Sequence, residues 1–126
     1  MLGATVDFTI NTLLNSGYNI DGYDNGVLYL NDVSQLGYMW PSAAMMYNSA
    51  GGLRGSQFFY STPYNSTSRF EQVYTTLCSQ YGAPTVVSNG TAVWYGNGGI
   101  YISLGYGAQA VSQYGTRYFT TLTFGN

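Results

Sequence analysis

The residues best equipped for chemistry lie close together near the N-terminus. Asp21, Asp24 and Asp32 form the only acidic cluster of the chain and are interleaved with Asn19, Asn25 and Asn31. Calcium takes several oxygen ligands, which such a segment offers. The spacing fits no EF-hand loop, however, and Asp and Asn are also the residues that build turns. Asp21 and Asp24 are two carboxylates, as glycoside hydrolysis requires, but that chemistry sets a separation in space that nearness in sequence does not provide. The chain has no His and no Lys, which excludes histidine general bases, lysine Schiff bases and histidine-ligated metals. Cys78 is the single cysteine. It has no histidine to activate it and sits on an apolar helical stripe, so it reads as a core residue. Gly51-Gly52 and Gly98-Gly99 do not lead into a helix carrying Lys and Ser or Thr, so they read as hairpin turns and not as phosphate cradles. Asn65-Ser66-Thr67 and Asn89-Gly90-Thr91 match the N-glycosylation pattern, as chance allows in so Asn-, Ser- and Thr-rich a chain. The expectation is a protein that is not an enzyme, with no catalytic residues, no metal ligands and no cofactor.

Aromatic residues carry more information. Fourteen Tyr, six Phe and two Trp in 126 residues exceed what one small core buries, so some rings must face outward. Tyr38, Trp40, Tyr101, Tyr114 and Tyr118 are the candidate binding residues, because neighbours of opposite parity supply the core or because loops lie close by. Aromatic faces set among Asn, Gln and Ser suit a protein partner or a sugar ring.

Charge narrows the field further. Three Arg stand against five acidic residues, a net charge of −2, and only 6% of residues are charged, against about 25% in an average soluble chain. Nucleic acid is excluded, since several phosphates need several cations. Anionic membrane surfaces are disfavoured for the same reason. No run of about 20 apolar residues spans a membrane, and no signal peptide is visible in this chain. A surface of Asn, Ser, Thr, Gln, Gly and Tyr hydroxyls lacks the charges that guard sheet edges and tolerates close neighbours. It suits an extracytoplasmic or assembled protein.

The element that positions the rest is Ser68 to Gly82. Phe70, Val73, Tyr74, Leu77, Cys78 and Tyr81 recur at helical spacing on one stripe. Ser68 followed by Glu71 predicts a capping box, and Gly82 with Pro84 beyond it predicts the stop. Ala4 to Asn15 predicts a first helix, with Val6, Ile10, Leu13 and Leu14 apolar. Gly22 to Gly26 predicts a turn. Strands are predicted over Val27–Asn31, Tyr38–Tyr47, Leu53–Thr62, Thr85–Val87, Ala92–Tyr95, Ile100–Tyr106 and a last run ending at Phe124, with Asn48–Gly52 a hairpin turn and Gly107–Gly115 a loop. Each half thus reads as one helix and about three strands. The prediction is one α+β domain over residues 1–126, a duplicated helix–strand–strand–strand unit in halves of roughly 4–62 and 66–126. Two helices would cover one face of an antiparallel sheet.

Phe70 through Tyr81-Gly82-Ala83-Pro84, then Val93-Trp94, then Ile100 to Tyr106 and a final strand resemble small domains of bacterial secreted proteins and lipoproteins. The tandem arrangement resembles the beta-lactamase-inhibitor-protein-like and PepSY-like families. The resemblance covers about half of the chain. The chain lacks the inhibitors' paired cysteines and the glycine-methionine-threonine entry to their helix. It implies a secreted or envelope domain that binds proteins or inhibits enzymes, and carries over no catalytic residue. The expectation is therefore a non-catalytic, extracytoplasmic binding domain for a protein partner. The alternatives are a glycan-binding module and a subunit of a viral or surface assembly, the last as a homo-oligomer.

Overall fold

A computed structural model describes residues 19–47, 52–111 and 115–126. Eight strands and one helix follow in the order β1 (Asn19–Asp24), β2 (Val27–Gln35), β3 (Tyr38–Tyr47), β4 (Leu53–Thr62), α1 (Ser68–Tyr81), β5 (Val86–Ser88), β6 (Thr91–Tyr95), β7 (Tyr101–Val111) and β8 (Gly115–Gly125). All strands join one sheet in the order β1-β2-β3-β4-β8-β7-β6-β5, every pair antiparallel. The sheet is two four-stranded meanders joined through their last strands, β4 and β8.

Local chemistry explains the hairpins. Asn25-Gly26, Leu36-Gly37 and Asn89-Gly90 each hold two successive positive φ angles, the two-residue turn whose twist matches paired strands. Asn and Gly adopt these angles readily. Cross-strand register then builds the core. Leu30, Ala43, Phe58, Leu122, Leu104 and Ala92 form one continuous row across six strands, and each is at most 5% exposed. Val73 and Leu77 of α1 are fully buried. The helix lies on that side of the sheet, with Tyr74 against Trp94 at 5.9 Å and Phe70 against Tyr106 at 6.4 Å between ring centroids. At its other margin Arg69 donates to the Met39 carbonyl at 2.6 Å and lies 4.1 Å from the Tyr60 ring centroid. Among the described residues α1 covers one face of the sheet, and no described element covers the face opposite α1.

The expected α+β class with two helices on one face is overturned. The described residues are 65% strand and nearly all-β, with one short helix among them. The first meander has four strands where three were expected, β1 being the addition. Segments read as turn or loop are paired instead: β1 occupies 19–24, and β7 and β8 extend together through 107–111 and 115–119. Apart from Ile20, Val111 and Phe119 their residues are polar, glycine or alanine, and most of those described are exposed. Backbone ladders hold them, so no hydrophobic alternation marks them in sequence. The first-helix prediction at 4–15 lies outside the described residues, as do most of the turn at 48–52 and Tyr114.

The helix limits hold but the cap does not. Thr67 is the N-cap, its carbonyl accepting from Glu71 N–H at 2.9 Å, and no side chain caps the end. The Ser68 hydroxyl accepts from Ser66 instead. Gly82 closes the helix at φ 81°, donating to the Cys78 carbonyl at 2.9 Å. Tyr81, expected on the buried stripe, is exposed.

Candidate binding site

Tyr101 opens β7 directly after the tight β6–β7 connection, where Gly96 N–H donates to the Ile100 carbonyl at 2.8 Å. Gly98 and Gly99 take positive φ there. Tyr101 points to the open face and pairs with Tyr95 on one side and Gly125 on the other. Gly125 in turn pairs with Gly55, and Gly55 with Met46. The two glycines leave a trough in the centre of the sheet, and the phenol of Tyr101 lies in it. A Cβ on Gly125 would stand 2.7 Å from Cε1 and Cζ of Tyr101 and 2.8 Å from its hydroxyl. A Cβ on Gly55 would stand 2.9 Å from the Phe124 carbonyl oxygen and 3.1 Å from Met46 Cε. Glycine inside a strand marks such a close approach.

Two pockets include Tyr101 in their lining, one at the C-terminal end of α1 on the helix side of the sheet and one on the opposite face. One, about 220 Å³, is walled by Tyr81, Thr85, Trp94, Tyr95 and Ile100 with Tyr101. Tyr81 and Tyr95 are more than half exposed, while Trp94 is fixed by donating Nε1–H to the Gly82 carbonyl at 2.9 Å. The other, about 330 Å³, is lined by Asn25, Met46, Arg54, Gln57 and Thr123 with Tyr101. Gln57 donates Nε2–H to Thr123 Oγ1 at 3.3 Å, which orients its amide. Arg54 is exposed and makes no ion pair or hydrogen bond with another described side chain. From Gln72 to Thr116 the sequence carries no charged residue, so Arg54 is the one charged side chain lining these two pockets. The site combines aromatic walls, amide and hydroxyl hydrogen-bonding groups and one guanidinium. Nothing in it supplies a paired base and nucleophile.

The other predicted site residues are used internally. Trp40 is fully buried, donates Nε1–H to the Gln35 carbonyl at 3.1 Å and packs on Phe58 at 6.0 Å. Asp32, at φ 53°, interrupts β2 opposite Pro41, and the ladder skips that pair. Beyond the interruption Val33 and Trp40 turn to the covered side, which reverses the parity on which Trp40 was placed outside. Tyr38 is half-buried beneath α1, its hydroxyl 3.2 Å from Thr76 Oγ1 and 3.4 Å from the Gln72 carbonyl. Tyr118 stacks on Tyr106 at 6.4 Å, and Tyr106 donates to Asn65 Oδ1 at 2.6 Å. Of the four described candidates, Tyr101 lines the two pockets described above.

Sequence inspection missed Arg54, Gln57, Thr123, Tyr81 and Tyr95. The available signal was Gly55, a lone glycine inside a predicted strand. Asp21, Asp24 and Asp32 are each exposed, and the described residues hold no group of three or more His, Cys, Asp or Glu placed to share a metal. No helix among the described residues is long and apolar enough to cross a membrane. Cys78 is half-buried beside Tyr74. In comparisons with protein-family models, curated proteins and solved structures, nothing matches this chain.

Proposed function

We propose that this chain is a non-catalytic binding domain acting outside the cytoplasm, with an oligosaccharide held at Tyr101 on the open sheet face. The observation that carries the reading is the phenol of Tyr101 laid against Gly125 at the edge of a pocket lined by Asn25, Arg54, Gln57 and Thr123. A ring held by its neighbours presents an aromatic surface at little entropic cost on binding. Amide, hydroxyl and guanidinium groups beside one aromatic ring match the mixed polar and apolar faces of a sugar chain. Tyr38, Trp40, Tyr101, Tyr114 and Tyr118 were expected to present aromatic faces to a protein partner or to a sugar ring. Three of these are engaged in packing, and the remaining surface is concave, which favours the glycan over the protein partner.

The test is an array of neutral and uronate-bearing oligosaccharides probed with the wild-type chain and with Tyr101→Ala and Arg54→Gln. Binding lost in Tyr101→Ala supports the site. Loss in Arg54→Gln confined to acidic glycans assigns Arg54 to their carboxylates. No glycan bound, together with Tyr101-dependent enrichment of peptides from a phage-displayed library, overturns the glycan reading in favour of a protein partner.

A further inference from the structure

We infer that the chain self-associates by pairing β5 edge to edge with β5 of a second copy. This goes beyond the ligand reading and does not depend on it. Among the described residues β5 is the outermost strand on its side of the sheet, bonded to β6 alone. Its three residues are all exposed. Val86 faces the open side, in line with Val93 and Ser103, and is 46% exposed. Val87 faces the helix side, in line with Ala92 and Leu104, and is 66% exposed. Natural sheet edges are guarded by charge, proline, bulges, a covering element or brevity of the strand, and of these β5 has its short length and Pro84 two residues before it but no charge. This one has two exposed β-branched residues and lies within a stretch without charge from Gln72 to Thr116.

The opposite edge is built differently. β1 carries Asp21 and Asp24, and its ladder is irregular between Ile20 and Gly22. Two copies meeting through β1 would set carboxylates against carboxylates, which is unfavourable across a strand pair. Two copies meeting through β5 bring no charge together. The occupant of the β5 edge is thus another β5, related by a two-fold axis normal to the sheet and centred at Val87. Antiparallel pairing about such an axis is self-complementary and closes as a dimer. It also keeps the sheet faces in register, so both Tyr101 troughs lie on one side of the joined sheet and both α1 helices on the other. A three-residue strand offers few hydrogen bonds, so the pairing is weak and answers to protein concentration.

Sedimentation velocity over about a hundredfold range of concentration tests this. The wild-type chain is expected to move from monomer toward dimer. Val87→Lys, at an exposed position, should raise the dissociation constant more than about tenfold by setting like charges together. Hydrogen exchange provides an independent reading: the amides of residues 86–88 should gain protection as concentration rises. A wild-type chain that stays monomeric, association unchanged by Val87→Lys, or growth beyond the dimer would each overturn the inference.

Discussion

Gly55→Ala and Gly125→Ala separate what the central glycines do for stability from what they do for the site. Neither glycine has a positive φ, so alanine meets no backbone strain. By reducing the freedom of the unfolded chain, alanine gains about 0.4–1 kcal/mol at both positions. The contacts then decide. At Gly55 the new Cβ would meet the Phe124 carbonyl oxygen at 2.9 Å, and a backbone atom within the β4–β8 ladder, one pair from its end, yields only if that end of the ladder spreads. Overpacking of that kind costs about 1–3 kcal/mol. The net loss is roughly 1–2 kcal/mol, or about 4–10 °C in Tm for a domain of this size. At Gly125 the obstruction is the phenol end of Tyr101 at 2.7–2.8 Å, and a side chain can swing away. Gly125→Ala should change Tm by no more than about 3 °C, within the effect of an ordinary surface substitution, while displacing the ring that forms the site. Calorimetry of both variants, with glycan binding in parallel, checks the contrast. In a Tyr101→Ala background Gly125→Ala should be neutral or mildly stabilising, the signature of a direct coupling between the two positions. Equal destabilisation by the two alanines, or unaltered binding by Gly125→Ala, would refute this account.

Other perturbations address the scaffold. Trp40→Ala removes a fully buried side chain and should cost about 3–5 kcal/mol, so urea denaturation should show a large loss of stability; a neutral result would return Trp40 to the surface. Arg69→Ala removes the bond to Met39 and the contact with Tyr60, a loss of about 1–2 kcal/mol by chemical denaturation, and Arg69→Lys should recover only part because the planar fork is gone. Burial, with the Cys78 thiol adjacent, holds the Tyr74 phenol above its ordinary value of 10.0. The folded chain therefore keeps that proton longer than the unfolded chain. The resulting stability is complete below about pH 10 and is lost as pH rises through the higher folded value. Melting temperatures from pH 8 to 11 should thus fall less steeply in Tyr74→Phe, and parallel curves would remove Tyr74 from the account.

Much of the scaffold is legible in the order of residues. The limits of β3, β4 and α1 follow from apolar spacing, Gly82 and the polar link before the helix, because those signals are local and no distant partner is needed to interpret them. Val73 and Leu77 are core residues by helical period alone. The strands missed, β1 and the far ends of β7 and β8, are held by pairing with neighbours, and residues such as Gly107, Ala108 and Gln109 carry no periodic mark of it. Trp40 shows the same limit within a correctly bounded strand: one left-handed residue in the neighbouring strand, Asp32, reverses which face it occupies. At the site, an exposed Tyr101 was expected from strand parity. Its partners come from β3, β4, β6 and β8, brought beside it by a sheet order that joins the two meanders through their last strands. The sequence by itself determined the absence of histidine and lysine chemistry, the scarcity of charge, the helix and the long hairpin, since these rest on composition and local period. Only the tertiary structure decided that the described strands form one eight-stranded sheet, that Gly125 lies against Tyr101 with Gly55 beside it, and that Arg54 and Tyr95 share pockets with that ring, because those juxtapositions depend on pairing between residues far apart in the chain.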